Sequence, residues 1–160
     1  MTTKIKRSEV RTFIDVTPES SESYELLGDG VVSGVMNMNP KTTEETYIHE
    51  DSASTSVDSY APTMPVEASA KTGDAVFEFV DALRMARAVL GDAETTIVNV
   101  WMYEAGGPSA YPAEQQAVSI QIDDFGGKGG EAAKINFTIN YIGAPVTGTF
   151  NASDSSFSAD

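Results

Sequence analysis

Two stretches in the C-terminal third do most to limit the fold. In AVSIQIDDF (117–125), Val118, Ile120 and Ile122 alternate with Ser119, Gln121 and Asp123. In KINFTINYI (134–142), Ile135, Phe137, Ile139 and Tyr141 alternate with Asn136, Thr138 and Asn140. A period of two places the apolar set on one face of a strand and the polar set on the other, which a helix cannot do. Between them FGGKGGE supplies glycines able to take the positive φ of a turn. The pair predicts an antiparallel hairpin with a rather long loop, apolar inward and polar outward.

The same reading extends upstream. EVRTFIDVT (9–17) sets Val10, Thr12, Ile14 and Val16 against Arg11, Phe13 and Asp15, and VVSGVMNMN (31–39) is a second candidate strand, ended by Pro40. Residues 95–103 are apolar on both faces (Val98, Val100 and Met102 against Ile97, Trp101 and Tyr103), the pattern of a strand covered on both sides. PVTGTF (145–150) predicts a short final strand. One segment departs from period two: in TGDAVFEFVDALRMARAVLG (72–91), Val76, Phe79, Val80, Leu83, Arg87 and Leu90 recur at helical spacing, with Ala86 in the same stripe. Thr72 or Asp74 can cap its start and Gly91 can close its end. The chain is therefore expected to be mainly β with one helix at about 73–90: a β-sandwich or partly open barrel with the helix flanking it.

At 160 residues and 41% hydrophobic content, one domain with a sizeable core is expected. The absence of cysteine excludes disulfides, thiolate metal sites and cysteine nucleophiles. The opening MTTKIKRSEV is basic but no apolar run follows it, so it is not read as a secretory signal, and no stretch reaches the roughly 18 apolar residues of a membrane helix. Formal net charge is −14, yet the first eleven residues hold Lys4, Lys6, Arg7 and Arg11 against Glu9 alone. A flexible basic arm (1–8) on an acidic body argues against nucleic-acid binding by the body. The arm is either a solvated terminus or a means of adhering to other copies.

Two segments do not fit the core. Residues 39–60 are rich in Thr, Ser, Glu and Asp, with strand-like pieces TYIH and STSVDSY, and are expected to form an extended loop or hairpin arm. Residues 151–160 are a polar tail with Phe157 as its one large apolar residue.

Chemical sites are sparse. His49, the single histidine, abuts Glu50 and Asp51, but neighbours on an extended chain point in alternating directions and no second histidine completes a ligand set. DDFG matches a kinase triplet without the accompanying motifs, and GGKGGE lacks phosphate-loop spacing. Asp123 and Asp124 are expected to face opposite sides of a strand, unable to share a substrate atom. No enzyme activity, metal or cofactor is expected.

Four pieces in order, YIHED (47–51), GDAVFEFVDALRMARAV (73–89), QIDDFGG (121–127) and INYIGAPVTGTF (139–150), carry a family resemblance spanning about residues 24–150. The chain resembles the major tail tube protein of tailed bacteriophages, of the long non-contractile type that infects Gram-positive hosts. The same fold builds tubes of contractile tails and phage-tail-like bacteriocins. The resemblance implies a tail-tube β-fold with a flanking helix, six copies per ring, and rings stacked into a hollow tube through which double-stranded DNA passes without specific binding. It further implies a virion-tail location after assembly in the host cytoplasm, tape measure, tail terminator and distal tail proteins as partners, and no membrane binding. On that reading Lys4, Lys6, Arg7, Arg11, Tyr47, Ile48, His49, Val57 and Tyr60 are candidates for contact between subunits or rings. Ser119, Gln121, Asp123, Asn136, Thr138 and Asn140, a strand surface without lysine or arginine, are candidates to face the channel. The competing reading is a β-sandwich binding module of adhesin or carbohydrate-binding type with Trp101 or Tyr111 as platforms. A hydrolase using surface carboxylates is a third.

Overall fold

A computed structural model of the chain describes residues 1–104 and 106–160. Among the described residues the strands are β1 (Val10–Asp15), β2 (Tyr24–Leu26), β3 (Val31–Gly34), β4 (Pro40–Glu45), β5 (Ser54–Tyr60), β6 (Thr63–Ser69), β7 (Glu94–Trp101), β8 (Tyr111–Gly126), β9 (Lys134–Asn151) and β10 (Ser156–Ala159), with one α-helix, α1 (Ala75–Ala86), and short 3-10 turns at Arg7–Glu9 and Leu90–Ala93. Eight strands form a single antiparallel sheet in the order β2-β1-β7-β8-β9-β6-β3, with β10 added to β9. The sheet curls into a half-barrel, so of the two expected architectures the partly open barrel describes it.

The expected hairpin is its spine. Ile120 sits opposite Ile139 and Gln121 opposite Thr138. Gly130, at φ +86, takes the left-handed conformation in the connecting loop, which a side chain would disfavour. Both strands run much further than expected, because PVTGTF is not a separate strand but the continuation of β9. Gly143 and Pro145 read as punctuation in the sequence. In the structure they lie in a bulge opposite Gln116, whose side-chain amide donates to the carbonyls of Ile142 (3.5 Å) and Gly143 (2.8 Å). Proline, lacking an N–H, is tolerated where the ladder is already interrupted.

Apolar side chains pack on both faces of this sheet. On one face, Ile14, Ile97, Val118, Phe137 and Ile139 cluster with Val76 and Val80 of α1, all buried. Each such side chain stabilises by roughly 1.5–3 kcal/mol relative to exposure. On the other face Tyr24, Val98, Val100, Ala113 and Phe150 form a second cluster with Phe13 and Phe157 against it. β7 carries both, which is why its apolar residues do not alternate. It is buried on both sides as expected, and ends at Trp101 rather than Tyr103. Its one buried amide is paired: Thr12 Oγ1 donates to Asn99 Oδ1 (2.7 Å), and Asn99 Nδ2 donates to the Tyr141 hydroxyl (3.3 Å).

The helix is where its stripe placed it but shorter, Ala75–Ala86 against the expected 73–90. The Asp74 carboxylate accepts from Phe77 N (3.3 Å), the expected N-cap. Its end is not Gly91 but Arg87, which adopts the left-handed conformation (φ +47) while Arg87 N and Ala88 N donate to the carbonyls of Arg84 and Leu83. Those bonds close the last turn in the way a glycine usually does. Leu90 consequently leaves the stripe and is 85% exposed.

β6 has no counterpart in the sequence reading, although Met64, Val66 and Ala68 alternate and are buried. Residues 151–160, which read as a polar tail, contain β10, with Phe157 opposite Phe150.

Candidate assembly surfaces

The hairpin β4–β5 stands apart. It is a two-stranded sheet pairing only with itself, and every residue of both strands is exposed. Its root is fixed where Asn37 and Thr63 exchange backbone hydrogen bonds (2.7 and 2.9 Å) and Asn39 Nδ2 donates to the Ala61 carbonyl and Thr63 Oγ1, both at 3.1 Å. Thr43 Oγ1 donates to the Asp58 carboxylate across the pair. The hairpin's first strand, PKTTEE, begins at Pro40, since the first residue of a strand can dispense with its N–H, while the strand expected over 31–39 ends earlier, at Gly34. TYIH is therefore not a strand but the turn at the tip.

That tip carries exposed apolar side chains. There Ile48 is fully exposed and Tyr47 more than half exposed; Val57, midway along β5 opposite Thr42, and Tyr60, at the root opposite Pro40, are also more than half exposed. The Tyr47 and His49 rings stack at 6.4 Å between centroids, and His49 Nε2 lies 3.5 Å from Glu50 Oε1. Among the described residues no group of three or more His, Cys, Asp or Glu side chains is arranged to hold a metal.

The basic segment is exposed from Met1 to Ser8, Lys4 and Lys6 included. Arg7 is the anchored member: its guanidinium donates to the carbonyls of Val10 (2.6 Å) and Gly34 (3.1 Å), tying the start of β1 to the end of β3. Arg11 Nε donates to the Ser8 carbonyl (3.3 Å). Both arginines border a groove of about 460 Å³ where the two margins of the curled sheet approach each other, floored by Val10, Leu27, Val31 and Met64. The arginines stand out in the sequence and the groove does not, because its walls lie at opposite ends of the strand order and meet only when the sheet curls.

The third surface is polar. Ser119, Gln121, Asp123, Asn136, Thr138 and Asn140 share one face, and β6 adds Thr63, Pro65 and Glu67 in register with Asn140, Thr138 and Asn136. Thr138 Oγ1 donates to Asp123 Oδ2 (2.7 Å), Gln121 Nε2 to Asp123 Oδ1 (2.6 Å) and Asn140 Nδ2 to Gln121 Oε1 (3.3 Å). Asp124 joins them, accepting from Asn136 Nδ2 (2.7 Å). The expectation that Asp123 and Asp124 face opposite sides is thus wrong: a bulge between Ile122 and Asp124 breaks the alternation and brings both carboxylates to one face. Lys134, at the margin, is paired with Glu67 at 3.4 Å.

These surfaces and the curled sheet describe a β-domain whose margins and hairpin remain open to other chains. No family model matches the chain, and no curated protein matches it. Among solved structures, a chain described as "Tail of empty GTA particle computed with helical refinement, C6 symmetry" matches over 98% of this chain and 100% of that one, with TM-score 0.64 and 14% identity. The two share a fold along their whole lengths.

Proposed function

We propose that this chain is a non-catalytic structural subunit of a phage-type tail, self-assembling into rings that stack as a hollow tube. The observation that carries the reading is the near-complete mutual coverage with a chain of a C6-symmetric tail, which leaves almost no residue of either chain outside the common fold. The self-paired, solvent-exposed hairpin supports it, since an arm with apolar Tyr47 and Ile48 at its tip gains nothing inside its own domain. Six copies per ring, a channel faced by Gln121, Asp123 and Thr138, and passage of DNA without specific binding are the finer parts of this reading. So are a virion-tail location, a long non-contractile tail, and end contacts with tape measure, terminator and distal tail proteins. A glycan-binding module is less well supported, because Trp101 and Tyr111 are half-buried in the sheet rather than offered as platforms.

The test is negative-stain microscopy and sedimentation of the purified protein over a concentration series. Six-fold rings or tubes are expected. A protein that stays monomeric at every concentration and salt would overturn the reading.

A further inference from the structure

We propose that the groove between the margins of the sheet receives the tip of the β4–β5 hairpin from a second copy of this chain. Tyr47 and Ile48 enter the groove, and Glu50 and Asp51 meet Arg7 and Arg11. The proposal rests on the self-assembly reading above and names the receiving surface.

Charge argues first. The hairpin segment 39–60 holds five carboxylates (Glu44, Glu45, Glu50, Asp51 and Asp58) against Lys41 alone. Elsewhere in the acidic body, Lys71, Arg84 and Lys134 are paired with Asp29, Asp81 and Glu67, while Arg87 and Lys128 stand apart from each other without an ion pair among the described residues. Arg7 and Arg11 form no ion pair among the described residues; their donors reach only backbone carbonyls. Two arginines without counter-charges beside an apolar floor complement a tip of two large apolar side chains followed by two acids.

Shape and exposure argue second. A volume of about 460 Å³ lies within the range of roughly 300–1,000 Å³ that holds small-molecule ligands, enough for a tyrosine and an isoleucine. β3 is the last strand of the sheet, so one side of it presents unpaired backbone groups, and Val32 within it, at an irregularity in its pairing with β6, is 74% exposed. The chain's own tip does not occupy the groove, because Ile48 is fully exposed. A domain offering one tip and one groove on different elements makes a head-to-tail contact, which propagates through many copies instead of stopping at a pair.

The absence of cysteine makes the contact directly testable. In the full-length protein, Ile48→Cys and Val32→Cys are introduced together, oxidised mildly, and resolved on a non-reducing gel. A ladder extending beyond the dimer is expected, whereas either substitution alone stops at a dimer. Arg11→Glu in this background should abolish the ladder, and adding Glu50→Lys should restore it, with circular dichroism checking each fold. A fast-migrating internally linked monomer, or a ladder indifferent to Arg11→Glu, would overturn the proposal. Wild-type tubes together with no ladder from the doubly substituted protein would overturn the groove while leaving the assembly reading in place. A ladder without wild-type tubes would do the reverse, and neither would remove both.

Discussion

The ring of Phe13 on β1 lies 4.4 Å from that of Phe150 near the end of β9, tilted by 34°, and the ring of Tyr24 meets Phe150 edge-on at 6.5 Å. Phe150 is fully buried and joins the start of the chain to its end on the face of the sheet away from α1. Phe150→Ala should cost about 3–5 kcal/mol, the usual range for deleting a fully buried aromatic, and Phe150→Leu markedly less. Denaturant unfolding measures both. A loss within experimental error would mean that the second cluster is not part of the cooperative core.

Gly148 sets the approach of β10. A Cβ there would collide with the Ser158 carbonyl oxygen and the Phe157 ring, so only glycine lets β10 lie against β9. Gly148→Ala is expected to destabilise by roughly 1–3 kcal/mol through overpacking. It should also expose residues 156–159 to proteolysis ahead of the rest, as limited digestion with mass spectrometry would read. Unchanged protection of those residues would count against the pairing.

Alkaline pH should loosen the domain. Burial is the largest cause raising the Tyr24 pKa to about 12, only partly offset by the hydrogen bond from Gln115 Nε2 (2.7 Å), and burial likewise raises that of Tyr141. The folded state therefore holds protons that the unfolded chain releases near its ordinary value of about 10. Stability is retained below about pH 10 and falls as pH rises toward 12. A melting series from pH 8 to 12 checks this, and Tyr24→Phe should flatten part of the fall. An equal slope in the variant would assign the effect elsewhere.

Replacing residues 43–57 with a short Gly/Ser turn should leave the β-rich circular dichroism unchanged and abolish long tubes. The hairpin pairs with itself and buries none of its strand residues, so the domain loses little when it is removed. Normal-length tubes from the shortened chain would give the hairpin some other purpose.

Gln121→Lys with Thr138→Lys tests the polar face. The two residues are directly opposed, and both donate to Asp123. Tubes should still assemble, at a cost of about 0.5–1.5 kcal/mol per lost hydrogen bond, but DNA passage should slow, with partial recovery at higher salt. Repetition along a tube would turn weak phosphate contacts into strong, salt-sensitive retention. Normal DNA delivery with both lysines present would place this face away from the channel or make its charge irrelevant.

What the sequence determined by itself was local. Alternation assigned the faces of β1, the second half of β8 and the first half of β9, the uninterrupted apolar run marked β7 as covered on both sides, and the stripe and Asp74 cap located α1. Periodicity decides which way a side chain points, and it needs only neighbours along the chain. β6 carried the same signal in Met64, Val66 and Ala68. The tertiary structure alone decided what distant segments do to one another. Gln116 makes β9 continuous across Gly143 and Pro145, Phe13 and Phe150 build a second cluster, a bulge turns Asp123 and Asp124 to one side, and the meeting of the sheet margins creates the groove beside Arg7 and Arg11. Each depends on register and closure between residues far apart in sequence, where the free energy lies in packing and in satisfied backbone groups rather than in the propensity of any one stretch.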